Sequence, residues 1–414
     1  MSISKIKYFS AVTALVTMSS ISVKAAGFQL PEQDSRAASM ANAVTADLDN
    51  AAAAWYNPAA FSLMEGDYKN YYSAGMGIVQ LEINHEYDGG EDKMNKKLHY
   101  LPYGFAARKL SDRFFLSLGV TAPYGLSSDW DADTRTGKVA TYSEVKDINY
   151  NLNLSYKVLD NLAFAAGVDF VHLTAELDND LVEMKDGEDY AFGYNAAMLY
   201  KATDRLSFGA TYRSQVKSTL KADATWNKTK YAWLATKADG GVQADLTLPD
   251  NFQFGASYKV SPKLKVNAEL GWTNWTTYDV LKVTYRSDGS TMVENENNWK
   301  AGWAYKLGTE YTLNKNWNLR AGVLYDYNPV PDEYFATRVP DSKRVGGSIG
   351  AGYHNENGFS VDFSFLYEKM LKHSVDSNTA SVSYGTGLVY DTTVVDGDYS
   401  GQIFFPSVTF GYKF

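Results

Sequence analysis

The chain has 414 residues, 14% of them aromatic with 31 tyrosines, no cysteine, and 39 basic against 48 acidic side chains. The acidic balance argues against nucleic acid as a partner, and the lack of cysteine rules out a disulfide scaffold or a zinc-thiolate site. Beyond the opening segment no stretch approaches the roughly 20 apolar residues that a spanning helix needs, so stability must come from burial and backbone pairing.

Residues 1–25 have the layout of a secretory signal: Lys5 and Lys7, an apolar run from Tyr8 to Met18, then small residues ending at Ala25. Thr13, Thr17, Ser19 and Ser20 interrupt the run, which argues against a membrane anchor. Cleavage there would remove Lys5, Lys7 and Lys24 and take the formal net charge from −9 to −12.

Residues 26–66 differ from everything after them. The stretches Ala37 to Ala46 and Ala51 to Ala54 favour helix, and Pro58 stops the second one. Phe28, Leu30, Trp55, Tyr56 and Phe61 are too apolar for a solvated tail, so this segment reads as a small helical hatch, a plug ahead of a barrel.

From about residue 68 to the end (domain 67–414) the dominant pattern is period-2 alternation broken by polar turns. Ile148, Tyr150, Leu152 and Leu154 share one face while Asp147, Asn149, Asn151 and Asn153 share the other, and Phe359 to Phe365 repeats the pattern. The runs reach the ~9–11 residues of a transmembrane strand. Tight turns such as Thr203-Asp204-Arg205 alternate with longer connections, as in outer-membrane barrels. Strands are expected to begin near residues 68, 97, 114, 138, 162, 190, 206, 242, 264, 298, 317, 343, 358 and 400, which predicts a fourteen-stranded antiparallel transmembrane β-barrel. Val408, Phe410, Tyr412 and Phe414 form one face of a last strand ending in Phe, an address for the barrel-assembly machinery.

Several collinear motifs resemble the FadL-type outer-membrane transporters of long-chain fatty acids and aromatic hydrocarbons. Ala26-Gly27-Phe28-Gln29-Leu30 looks like that family's mature start and Asn57-Pro58-Ala59-Ala60 like its plug signature. Tyr124-Gly125-Leu126, Thr211-Tyr212-Arg213-Ser214, Leu246-Thr247-Leu248-Pro249 and Pro329-Val330-Pro331 follow in the family's order. The resemblance implies a monomeric barrel in the Gram-negative outer membrane whose hatch fills the lumen. It implies passive passage of a hydrophobic ligand that leaves sideways into outer-membrane lipid, through a gap made by a kink at Pro123, Tyr124 and Gly125. By themselves these three residues read as a strand end entering the loop near Ser127, although proline cannot donate to the ladder and glycine permits a bend.

Candidate ligand contacts are Phe28 in the hatch and the apolar inward positions Val171 and Leu173 of the fifth strand and Leu366 and Met370 of the thirteenth. Lys300 matches a basic position that the family places near its pocket; the other falls near Asn179, which has no charge, and this leaves aromatic hydrocarbons open beside fatty acids. Arg213, Lys217 and Arg320 also fall on the inward phase, with Glu269 and Glu310 as pairing acids. No cofactor is expected and catalysis is not. Gly346-Gly347-Ser348-Ile349-Gly350 matches a nucleophile elbow but lies in an alternating strand, where that motif does not work. The histidines lack metal-ligand spacing, and the calcium-loop resemblance at Asp129, Asp131 and Asp133 fails at Thr134 and Ala140. The rival readings are an open porin, which the hatch would obstruct, an outer-membrane lipid hydrolase using Ser348, and an adhesin or phage receptor working through loops 223–241 and 376–399.

Overall fold

A computed structural model describes residues 27–66, 68–376, 382–384, 388–390 and 395–414. Segment 1–25 and Ala26 lie outside the described residues. Alternation builds a closed antiparallel barrel of 14 strands. The first six are β1 (Asn70–Tyr87), β2 (Leu98–Lys109), β3 (Phe114–Thr121 and Gly125–Asp129), β4 (Tyr142–Leu159), β5 (Leu162–Asp178) and β6 (Val182–Lys201). Next come β7 (Leu206–Arg213 and Val216–Trp226), β8 (Gly240–Leu248 and Asn251–Ser261), β9 (Leu264–Thr273 and Val280–Tyr285) and β10 (Thr291–Glu296 and Gly302–Thr312). The last four are β11 (Trp317–Asp326), β12 (Arg344–His354), β13 (Phe359–Val375) and β14 (Gly397–Lys413). β14 pairs with β1 from Tyr71–Lys413 to Glu86–Asp398, and Phe414 exchanges hydrogen bonds with Asn70.

The two faces sort by solvent. Ile148, Tyr150, Leu152 and Leu154 are exposed on the outside, while Asp147, Asn149, Asn151 and Asn153 are buried in the lumen. An apolar outer face over a polar lumen is the arrangement a bilayer requires. Three strands depart from the predicted starts. β4 begins at Tyr142 because Arg135–Val139 form a short helix, capped by the Thr134 side chain accepting from Gly137 N–H. β6 begins at Val182 because Asn179 makes a tight turn, its Oδ1 accepting from the N–H groups of Leu181 and Val182. β10 already begins at Thr291 and is interrupted near Asn298, whose φ of 47° breaks the ladder.

Residues 27–66 occupy the lumen through α1 (Ser35–Ala38), α2 (Ala53–Tyr56) and a 3₁₀ turn over Pro58–Leu63. Asp34 caps α1 by accepting from Ala37 N–H, and Asn57 caps the 3₁₀ turn by accepting from Ala59 N–H. The turns are short because Ala41 and Asn42 adopt left-handed conformations, with φ of 52° and 60°, which reverse the chain. The wall admits this bend closely: a Cβ on Gly322 of β11 would lie 2.4 Å from the backbone carbon of Met40. Only glycine fits there.

Candidate functional site

The wall is not continuous. β2 and β3 pair from Lys109–Phe115 to Gly104–Val120 and then separate, and among the described strands the outer half of β3 pairs with β4 alone. Pro123, Tyr124 and Gly125 sit at the break. Tyr124 turns into the lumen, donates from its backbone N–H to Asp147 and from its hydroxyl to the Pro249 carbonyl at 3.1 Å. On β2 the stretch Leu98 to Tyr103 keeps β1 as its one strand partner among the described residues.

The hatch supplies what β2 does not. Leu30 N–H donates to the Pro123 carbonyl at 2.7 Å and Gly125 N–H donates to the Phe28 carbonyl at 2.9 Å, forming a bridge between Gln29 and Tyr124. The Gln33 amide then imitates a strand: its Nε2 donates to the Ala122 carbonyl and its Oε1 accepts from the Ala122 N–H, both at 3.0 Å. Buried backbone groups left unpaired are costly, so the kink is stable because the hatch tip completes it. A Cβ on Gly125 would meet Leu30 Cδ1 at 2.6 Å, so the tip packs directly against the kink.

Beside this bridge lies a cavity of about 780 Å³. Phe28, Leu30, Tyr124, Gly125, Leu366 and Met370 line it from within. Tyr100, Ile148 and Tyr150 line it too, and these rings and chains are exposed on the outer apolar face. The cavity therefore passes through the wall between β2 and β3. Phe28, Leu126 and Val145 also line a second, narrow apolar slot of about 60 Å³ that continues past Leu220, Val242 and Leu281. The Phe28 ring divides the two spaces, held by Trp275 at 4.7 Å and by Tyr278, Tyr124 and Trp299 at 6.0–6.2 Å between centroids.

The residues singled out from sequence are placed as follows. Phe28, Leu366 and Met370 reach the cavity, and Val171 and Leu173 are 1% exposed in the apolar cluster around Phe28, outside the cavity lining. Gly27 is fixed by its N–H donating to Asp341 at 2.7 Å and its carbonyl accepting from Arg344 at 3.0 Å. Gln29 Oε1 accepts from the Thr273 hydroxyl. Asn57, Pro58 and Ala59 do not line the cavity, and Asn57 Nδ2 donates to the carbonyls of Thr45 and of Met198 on β6. Lys300 is exposed and lines neither space, because the break at Asn298 turns it out of the inward phase. Arg213 is in the lumen, paired with Asp169 at 2.9 Å, and Arg320 is paired with Glu310 at 2.7 Å. Lys217 points outward, since the interruption at Ser214 and Gln215 shifts the phase of β7 by one residue. Ser348 lies in mid-strand, its hydroxyl accepting from Ala41 N–H, without the turn that a nucleophile elbow needs. Sequence reasoning put Glu368 on the inward phase of the thirteenth strand but missed Gln33 and, at the cavity's end, Glu32, Lys306, Asp326 and Arg344.

A family model described as outer membrane protein transport protein (OMPP1/FadL/TodX) matches residues 16–414. The chain belongs to this family of outer-membrane transport proteins. The FadL/TodX relatives include the long-chain fatty acid transport protein of Escherichia coli K12, 24% identical with 92% of this chain and 98% of the relative covered. Outer membrane protein P1 of Haemophilus influenzae is 25% identical, with 84% and 87% covered. Among solved structures, a FadL homologue of Pseudomonas aeruginosa superposes with a TM-score of 0.82 at 20% identity, covering 94% of this chain and 100% of that one. The Pseudomonas putida toluene transporter TodX superposes at 0.69 and 16% identity, covering 95% and 100%. These two share the fold. Like the family, this chain is an outer-membrane barrel.

Proposed function

We propose that this FadL/TodX-family barrel passes hydrophobic small molecules from the outer face to the bilayer interior, by diffusion, through the gap between β2 and β3. Long-chain fatty acids are the first cargo class, from the curated relatives, and aromatic hydrocarbons such as the toluene of the solved neighbours are the second. The carrying observation is the single cavity that touches both the Phe28 ring inside and Tyr100, Ile148 and Tyr150 outside. Its volume of about 780 Å³ lies within the ~300–1,000 Å³ usual for small-molecule sites. Lateral release avoids returning apolar surface to water, which costs about 0.8 kcal/mol per methylene. The hatch tip, residues 27–33, is the moving part, and the barrel works as a monomer inserted through its Phe414 strand.

The test is uptake of radiolabelled oleate and toluene by cells without a transporter of their own, comparing the intact chain with Gly125→Trp. Uptake of one or both is expected to fall at least tenfold in the variant, with the heat-dependent gel shift of a folded barrel retained. Equal uptake by a folded Gly125→Trp barrel would remove the lateral route.

A further inference from the structure

The cavity is apolar along most of its wall and charged at one end. Four neighbouring strands, β10 to β13, each place one charged side chain there: Lys306, Asp326, Arg344 and Glu368. Asp326 and Arg344 are direct register partners, and the other two lie within two positions of them. The hatch adds Glu32 and the connection before β12 adds Asp341. Acids thus outnumber bases.

The two bases are already engaged. Lys306 Nζ lies 3.1 Å from Glu269 Oε1. Arg344 Nη2 donates to Asp341 at 2.8 Å and to the Gly27 carbonyl at 3.0 Å, while its Nε is buried without a hydrogen-bond partner among the described residues. The acids are underused. Glu368 is 8% exposed, accepts no hydrogen bond among the described residues, and has Arg344 Nη1 at 3.9 Å. Asp326 Oδ1 is buried without a partner among the described residues, and Glu32 accepts from Asn42 at 2.8 Å. This end of the cavity therefore sets four carboxyls against two cations, so an added anion meets more acid than base in a place where charges interact more strongly than in water.

We infer that this charged end takes the polar group of the cargo as an uncharged hydrogen-bond donor, a hydroxyl or an un-ionised carboxylic acid, with Glu368 receiving the proton, and excludes anionic heads. The inference rests on the reading of this cavity as the cargo site. A fatty acid then enters as the neutral acid, and an alcohol of equal length is the better ligand at neutral pH.

Binding of radiolabelled 1-dodecanol, dodecanoate, dodecylsulfonate and dodecane to the full chain in phosphatidylcholine vesicles, counted in excess of protein-free vesicles, tests this at pH 7.5. Dodecanol is expected to bind at least tenfold more tightly than dodecylsulfonate, with dodecanoate between them. Glu368→Gln supplies its own N–H and removes one negative charge, so the alcohol's advantage over the sulfonate should shrink at least threefold; Asp326→Asn should act in the same direction. Equal binding of alcohol and sulfonate to the intact chain, or an advantage unchanged in both variants, overturns the inference. Dodecane binding without any preference among head groups leaves the cargo cavity standing and removes only the head-group rule, whereas no binding of any probe removes both.

Discussion

The two ends of the hatch are held in different ways. The body, residues 34–63, is riveted to the wall by buried charges and amides: Arg36 contacts Glu310 and Asp47, Glu269 accepts from the N–H groups of Val44 and Thr45, and Asn151 and Asn153 donate to the Ala54 carbonyl. Arg213 adds a cation lying 3.5 Å from the Trp55 ring centroid. The tip, residues 27–33, is held by two backbone hydrogen bonds, one amide pair, contacts of Gly27 with Asp341 and Arg344, donors from Thr273 and Asn42 to Gln29 and Glu32, the Tyr56 hydroxyl between Pro31 and Gln33, and the aromatic cage around Phe28. Breaking the body exposes unpaired charge, while releasing the tip costs a few hydrogen bonds and apolar contacts. The contrast supports the proposal that the tip moves while the body keeps the barrel plugged.

Removing a rivet should have the largest effect. Arg36→Met leaves Glu310 and Asp47 short of a cation in a buried site, a loss of about 3–5 kcal/mol. Planar-bilayer recordings should then show an open, ion-conducting pore that the intact chain lacks; an unchanged conductance would mean that the body is not held by this network. Phe28→Ala comes next, at about 3–5 kcal/mol if the cage cannot collapse and less if it can. Exchange of tip amides should rise while body amides, followed in the same spectra, stay protected, and parallel loss in both regions would erase the distinction drawn here.

Gln33→Ala is expected to cost about 1–3 kcal/mol, since it strands both polar groups of Ala122. Faster exchange at Ala122 and Gly125 would register it, and Gln33→Glu, which keeps an acceptor but loses the donor, should fall between. The smallest effect is that of pH. Burial pushes the Glu32 carboxyl up to about 8 and the Asp34 carboxyl up to about 6. The folded hatch holds these protons more tightly than an unfolded chain does, so their contribution is greatest at low pH and is lost as pH rises through the folded values. Protection of residues 32–38, normalised to intrinsic exchange, should therefore decline modestly from pH 5 to pH 8.5; a rise would reverse the sign assigned to burial.

The wall was legible from sequence because alternation is local. Ile148 to Leu154 alone declares two faces, and most strand starts fall within a few residues of those expected. The exceptions sit where a single side chain or backbone angle intervenes, at Asn179, Asn298 and Ser214, and each shift propagates to its neighbours: Lys300 and Lys217 leave the lumen for this reason. Leu366 and Met370 were found because a strand phase marks them. Gln33 was not, because its partner Ala122 lies 89 residues away and no local pattern links them. The charged end was hidden in the same way, assembled from strands joined only by register. A usable signal did exist, one charge on the inward phase of each of four successive strands beside apolar neighbours.

One seam of the barrel has a consequence for how the molecule comes into being. Ser35, near the start of the described chain, donates its N–H to Thr409 and shares a hydrogen bond with Ser407, both on β14 and more than 370 residues later. The last strand therefore docks on the hatch and on β1 together, and contacts of such sequence separation form late and slowly. Time-resolved exchange during refolding should show the Ser35 amide and the β1–β14 ladder gaining protection in one phase. Plug and closing seam then form as one unit, and the barrel is not sealed without what fills it.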